Sequence, residues 1–221
     1  MAVHVGTLLA VLIFFRHEVL ATARGWTRQV VFRETSPESR LGWAIIIGTL
    51  PAALIGLMLE DYIEAYTRSA LVIGLATIVF GVVLWWADVA GTRTRELPDL
   101  TWKRALFIGL AQALALIPGT SRSGITMTAA LLLGFTRQAA ARYSFLLSIP
   151  LILAAGGLKA VELMEVGTDA PWTDIFWGIV LSFVSAVLCI KLFLAALDRI
   201  GMLPFVVYRL VLGVLLLVLF M

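Results

Sequence analysis

Residues 117 to 124 read IPGTSRSG, inside one of the most apolar stretches of this chain. The residue types suit anion chemistry. Thr120, Ser121, Ser123 and Thr126 bring hydroxyl donors, and Arg122 brings a planar fork that matches phosphate oxygens. Pro118 and Gly119 break the helix before them, and Gly124 lets the backbone approach a ligand closely. Backbone N–H groups at such a break, with a helix N-terminus behind them, add partial positive charge. An arginine in a bilayer interior costs about 2.5 to 3.5 kcal/mol on insertion scales, which marks Arg122 as a functional candidate. Its alternative role is to cap helix carbonyls or snorkel to an interface. Taken singly, Ser121 and Ser123 read as helix-packing serines, and it is their clustering with Arg122 that points to a site. Gln112, six residues before Pro118, either points into the same cavity or makes a packing hydrogen bond.

Such residues need a scaffold, and the composition says which kind. Of 221 residues, 61% are hydrophobic and 14% charged, with mean hydropathy +1.00, the range of polytopic membrane proteins. The chain reads as an all-α polytopic membrane protein, one integral membrane domain over residues 1–221. A single cysteine, Cys189, excludes an internal disulfide and reads as a small packing residue.

Six segments are apolar enough to be membrane-spanning helices: 2–15, 43–59, 70–87, 143–158, 174–197 and 204–221. Residues 105–135 differ. An apolar run of about 13 residues precedes PGTSRSG and one of about 11 follows, each too short for a hydrocarbon core of about 30 Å. The pattern predicts a re-entrant helical hairpin, tolerated where its loop is buried in protein or lines a wet cavity. Loop charge agrees. Residues 16–42 carry Arg16, Arg24, Arg28, Arg33 and Arg40, and residues 88–104 carry Arg93, Arg95, Lys103 and Arg104, so both read as cytoplasmic loops. The mainly acidic segments 60–69 and 159–174 read as outside. Between 104 and 159 the number of crossings must then be odd, which a hairpin followed by one span satisfies.

Other polar residues carry less. His17 beside Arg16 and Glu18 reads as interfacial, and His4 is too isolated to be a ligand. Trp43, Trp85, Trp86, Trp102, Trp172 and Trp177 fall near helix ends, as aromatic belts do. No metal-binding HExxH, no phosphate-binding P-loop and no GxSxG elbow is present, and no metal ligand set is identifiable. The basic loops lack the interleaved aromatics of a nucleic-acid surface and read as faces touching anionic lipid.

The stretch resembles the second signature, PGxSRSxxT, of the undecaprenyl-diphosphate phosphatases, also called bacitracin-resistance proteins. Pro118, Gly119, Ser121, Arg122, Ser123 and Thr126 carry the match. AVHVGTLLAVLIFFR, ARYSFLLSIPLILAAG and LPFVVYRLVLG extend the similarity over essentially the whole chain.

The resemblance implies hydrolysis of the polyprenyl carrier diphosphate to the monophosphate, for recycling in peptidoglycan synthesis, with bacitracin resistance as a consequence. It implies that Arg122 neutralises phosphate oxygens and that Ser121, Ser123 and Thr126 add hydrogen bonds; with the residue chemistry above, Arg122 and Ser121 are expected as catalytic residues, Gly119, Thr120, Ser123 and Thr126 as phosphate-binding ones, and Gln112 as a supporting residue or a packing one. It further implies a multi-pass protein of the bacterial inner membrane whose cavity opens toward the outer face. The partners implied are a polyprenyl diphosphate and membrane lipids, with a homodimer as a compatible assembly. A divalent cation, Mg or Ca, is implied as well, but the family's ExxxE motif and PVSSTGH loop, thought to supply the nucleophile or base and the metal's acidic partners, do not occur in this sequence. The chain therefore reads as an incomplete inverted repeat, N-terminally shortened and holding half of an active site. The competing reading is a transporter or lipid-binding protein with a broken-helix anion site.

Overall fold

The structure, a computed structural model, describes residues 2–66, 69–165 and 172–220. Among these the long elements are all helices: α1 (Ala2–Phe14), α2 (Arg16–Phe32), α3 (Pro37–Tyr66), α4 (Ala70–Ala90), α5 (Trp102–Ala113), α6 (Arg122–Leu132), α7 (Arg137–Glu165), α8 (Trp172–Ile200) and α9 (Leu203–Phe220). Hydrocarbon offers no partner to a backbone N–H or C=O, so a segment that crosses it must satisfy those groups within itself. Four helices, α3, α4, α8 and α9, are each long and apolar enough to do so. The protein is an all-α polytopic membrane protein.

The other two expected crossings correspond to α1 and α7. With 13 residues, α1 spans about 20 Å. It meets the length and composition of a span only together with α2, from which it is bent by 80°. The 29 residues of α7 begin with Arg137 and Arg142, so its apolar stretch is shorter than the helix. Residues 16–32, expected as cytoplasmic loop, are helical. Their charge excludes a buried span, but Arg, Ala and Gln are good helix formers, and polarity alone does not unwind a helix. The segments expected as outside loops, 60–69 and 159–174, are mostly helix ends; residues 67–68 and 166–171 lie outside the described residues.

Packing joins α1 to α8, α4 to α9 and α3 to α5. Where α4 meets α9, a Cβ on Gly213 would lie 3.0 Å from the Gly74 carbonyl oxygen, so only small residues permit that approach. The densest core lies among α3, α5, α6 and α7, around Ala105, Ile108, Leu131, Ala141, Tyr143 and Leu147. There the Tyr143 hydroxyl donates to the Ala44 carbonyl at 2.7 Å, which satisfies a polar atom that burial would otherwise penalise. Only 6% of the α8 span is buried, against 33% for α4, so most of the α8 surface is left for lipid.

The hairpin closes on itself. Thr94 and Arg95 N–H groups donate to the Gly134 carbonyl at 3.0 and 2.9 Å, and Thr136 N–H donates to the Arg95 carbonyl at 2.9 Å. The Arg95 guanidinium also donates to the Leu133 carbonyl. The approach to α5 and the exit from α6 thus meet at one end of the bundle. At that end Arg137 donates to both carboxylate oxygens of Asp88, at 2.6 and 2.8 Å, which ties the end of α4 to the start of α7. These hydrogen bonds raise the Arg137 pKa above its ordinary value and keep the guanidinium charged. With 12 and 11 residues, α5 and α6 reach about 18 and 16 Å, so the segment enters and returns without crossing.

Candidate active site at the hairpin tip

Between α5 and α6 the chain makes one 3-10 turn over Leu114–Leu116 and then straightens at Ile117, as a residue before proline must. Gly119 has φ +93, and a Cβ there would collide with the Ile73 carbonyl oxygen of α4. Only glycine fits. The Thr77 hydroxyl, shared with the Ile73 carbonyl at 2.7 Å, donates to the Gly119 carbonyl at 3.2 Å. Ser121 adopts φ +68 and ψ 111, a left-handed conformation that costs a non-glycine residue on the order of 1–3 kcal/mol. Its Oγ accepts the Gly124 N–H at 3.3 Å and caps α6, which offsets part of that strain.

A second arginine braces the tip. Arg209 of α9 is 9% exposed, and its Nη2 donates to the Gly119 and Thr120 carbonyls at 2.9 Å each and to the Thr77 carbonyl at 3.3 Å. Its Nη1 lies 3.4 Å from where a Cβ on Gly124 would sit, against the first turn of α6, and its Nε is buried with no protein partner. Arg209, Tyr208, Thr77, Gly119, Ser121, Ser123 and Gly124 line a cleft of about 480 Å³ whose other walls are apolar, among them Ile73, Met127, Phe193, Phe205 and Leu212. A helix N-terminus, two serines and a guanidinium therefore face an apolar volume. That combination fits a phosphate carried on a hydrocarbon chain.

The family profile of the Bacitracin resistance protein BacA matches residues 1–215. The chain belongs to that family. A protein of Chromohalobacter salexigens named undecaprenyl-diphosphatase is 64% identical over 98% of this chain and 82% of its own length. Undecaprenyl-diphosphatase 2 of Stutzerimonas stutzeri is 56% identical over 99% of this chain and 82% of its own. Undecaprenyl-diphosphatase 1 of Pseudoalteromonas translucida is 54% identical over 96% and 80%.

In this chain the expected site residues separate onto two sides of α6. Gly119, Ser121 and Ser123 line the cleft. Arg122 does not; its Nη1 donates to the Ser144 carbonyl of α7 at 2.9 Å, so one nitrogen takes the carbonyl-capping role, and the residue is half-buried. Thr126 is 1% exposed and shares a 2.7 Å hydrogen bond with the Ser144 hydroxyl, besides reaching the Arg122 and Ser123 carbonyls at 3.1 Å. Thr120 is fully buried with its hydroxyl unpartnered. Gln112 donates to the Gly48 carbonyl of α3 at 3.3 Å and is not among the cleft residues; its Oε1 has no protein partner.

Arg209 is not among the residues expected from the sequence to form the site. A signal existed, since one arginine inside a largely apolar helix of 18 residues, α9, is itself a marker of a site.

The divalent cation implied by the resemblance requires carboxylate or other oxygen-rich anionic ligands. Here the donors around the cleft are hydroxyls and a guanidinium, and no group of three His, Cys, Asp or Glu residues able to hold a metal occurs among the described residues. These residues do not fit such an ion.

Proposed function

We propose that this chain is an undecaprenyl-diphosphate phosphatase: water attacks the terminal phosphorus, the bond from that phosphorus to the bridging oxygen breaks, the lipid monophosphate departs with the bridging oxygen, and the attacked phosphoryl group is released as inorganic phosphate. The observation that carries the reading is the cleft in which the α6 N-terminus and Arg209 meet apolar walls. The names of the three relatives point to the same substrate. In this reading Ser121, Ser123 and the first N–H groups of α6 hold phosphate oxygens, and Arg122, which is not part of the cleft wall, adds positive charge behind them through the nitrogens not engaged by Ser144. Arg209 holds the Gly119 and Thr120 carbonyls away from the anion, and Thr126 fixes α6 against α7. Apolar walls receive the first prenyl units. Recycling of the carrier for peptidoglycan synthesis and resistance to bacitracin follow from that activity. The inner-membrane location and a homodimer belong to the same proposal, to be checked by fractionation and by cross-linking in membranes.

The test is phosphate release from undecaprenyl diphosphate by the purified protein in detergent. We expect release that saturates with substrate. Tight binding of the lipid without release would replace the phosphatase by the transporter or lipid-binding reading.

A further inference from the structure

Helix α2, over residues expected as a cytoplasmic loop, carries Arg16, Arg24 and Arg28. We infer that α2 is a membrane-surface helix that recognises anionic phospholipid through Arg24 and Arg28.

Orientation comes first. α1 packs along α8, a helix able to cross the membrane, and α2 leaves α1 at 80°. The angle is held by packing, because Phe15 at the break is 2% exposed and its ring stacks on Phe145 with centroids 5.6 Å apart. A helix perpendicular to a spanning one lies along the bilayer plane. Trp26 of α2 and Trp43 of α3 meet edge to face at 5.7 Å, and tryptophans of this kind sit at the headgroup level.

The two sides of α2 differ. Val19, Thr22, Ala23 and Trp26 line an apolar groove of about 230 Å³ shared with α3 and α7. Ala21, Arg24, Gly25 and Arg28 line a polar hollow of about 420 Å³ shared with residues 34–38, Glu34 and Glu38 included. At 100° per residue these two sets fall on opposite faces. The apolar side is turned to α3 and α7, which leaves the side that carries Arg24 and Arg28 turned away from the bundle.

Charge selects the partner. Arg16, Arg24, Arg28 and Arg33 are all exposed, and the one carboxylate of α2, Glu18, faces Arg142 of α7 at 3.7 Å. Among the described residues Arg24 and Arg28 have no ion-pair partner. One helical turn apart, they present two guanidiniums to one headgroup phosphate. The hollow shares no lining residue with the hairpin-tip cleft.

The experiment titrates the full chain in detergent micelles with dioleoylphosphatidylglycerol, with dioleoylphosphatidylcholine and with inorganic phosphate, reading bound lipid by native mass spectrometry at low salt. We expect the anionic lipid to bind roughly tenfold more tightly than the zwitterionic one, a preference that shrinks as salt is raised. In R24Q/R28Q the preference should vanish while thermal stability is kept, because both side chains are exposed. Lys103→Gln, an exposed basic residue elsewhere, should leave it intact. Equal binding of the two lipids, or a preference that survives R24Q/R28Q, would overturn the inference. Displacement of the anionic lipid by an equal concentration of inorganic phosphate would also overturn it, in favour of a free-anion site.

Discussion

The two sides of α6 begin with the same few residues and end in different chemistry. On one side Ser121, Ser123 and Gly124 face the cleft, with Arg209 beside them. On the other, Arg122 and Thr126 bond to Ser144 of α7. A helix turns 100° per residue, so Arg122 and Thr126, four apart, share one face, and Ser121 and Gly124, three apart, share another. One side is left open for an oxyanion and the other is closed by protein acceptors. The lesson is that a signature motif combines contacts to ligand with contacts that hold the helix in place, and its spacing alone does not say which is which.

Substitutions can break that contrast. The largest effect belongs to Arg209→Ala, which removes the donor to the Gly119, Thr120 and Thr77 carbonyls and leaves the buried Thr120 carbonyl unmet, while Gly119 keeps the Thr77 hydroxyl. We expect a stability loss of about 3 kcal/mol and phosphatase turnover down by more than about 100-fold. Arg209→Lys should rescue little, since an ammonium lacks the planar fork. Turnover near wild type in both variants would detach Arg209 from the site.

Arg122→Ala sharpens the comparison, because Arg122 sits on the closed side by its one hydrogen bond yet is only half-buried. If its free nitrogens serve phosphate, turnover falls about 10² to 10³-fold while thermal unfolding barely moves. A shift in melting temperature with turnover retained would assign it to packing alone.

Thr126→Val should do the reverse of Arg122→Ala, costing about 1 to 2 kcal/mol through the lost Ser144 bond with a smaller change in turnover. A double variant with Ser144→Ala, compared with the two singles, should show less than additive loss, since one hydrogen bond is removed twice. Additive effects would mean that the two hydroxyls act separately. The smallest effect is expected for Gln112→Leu. It forfeits the bond to Gly48 but also removes a buried, unpartnered Oε1, so stability should change by less than about 1 kcal/mol and turnover hardly at all.

Hydropathy and spacing alone determined much of this protein. The long apolar runs imposed helices, because no other continuous backbone satisfies itself in hydrocarbon. Two half-length runs around Pro118 and Gly119 determined the hairpin, and the enrichment of hydroxyls about Arg122 marked its tip. The helix at 16–32 was not legible by that route. Hydropathy distinguishes spans from non-spans but not surface helices from loops. Tertiary structure alone decided the rest. Residues 119 and 209 become neighbours only because α9 packs on α4, and Arg95 meets Gly134 only when the hairpin has folded back. Sequence periodicity describes the face each helix has, within a few turns; which faces meet depends on packing between helices far apart in the chain, and the site is made of such meetings.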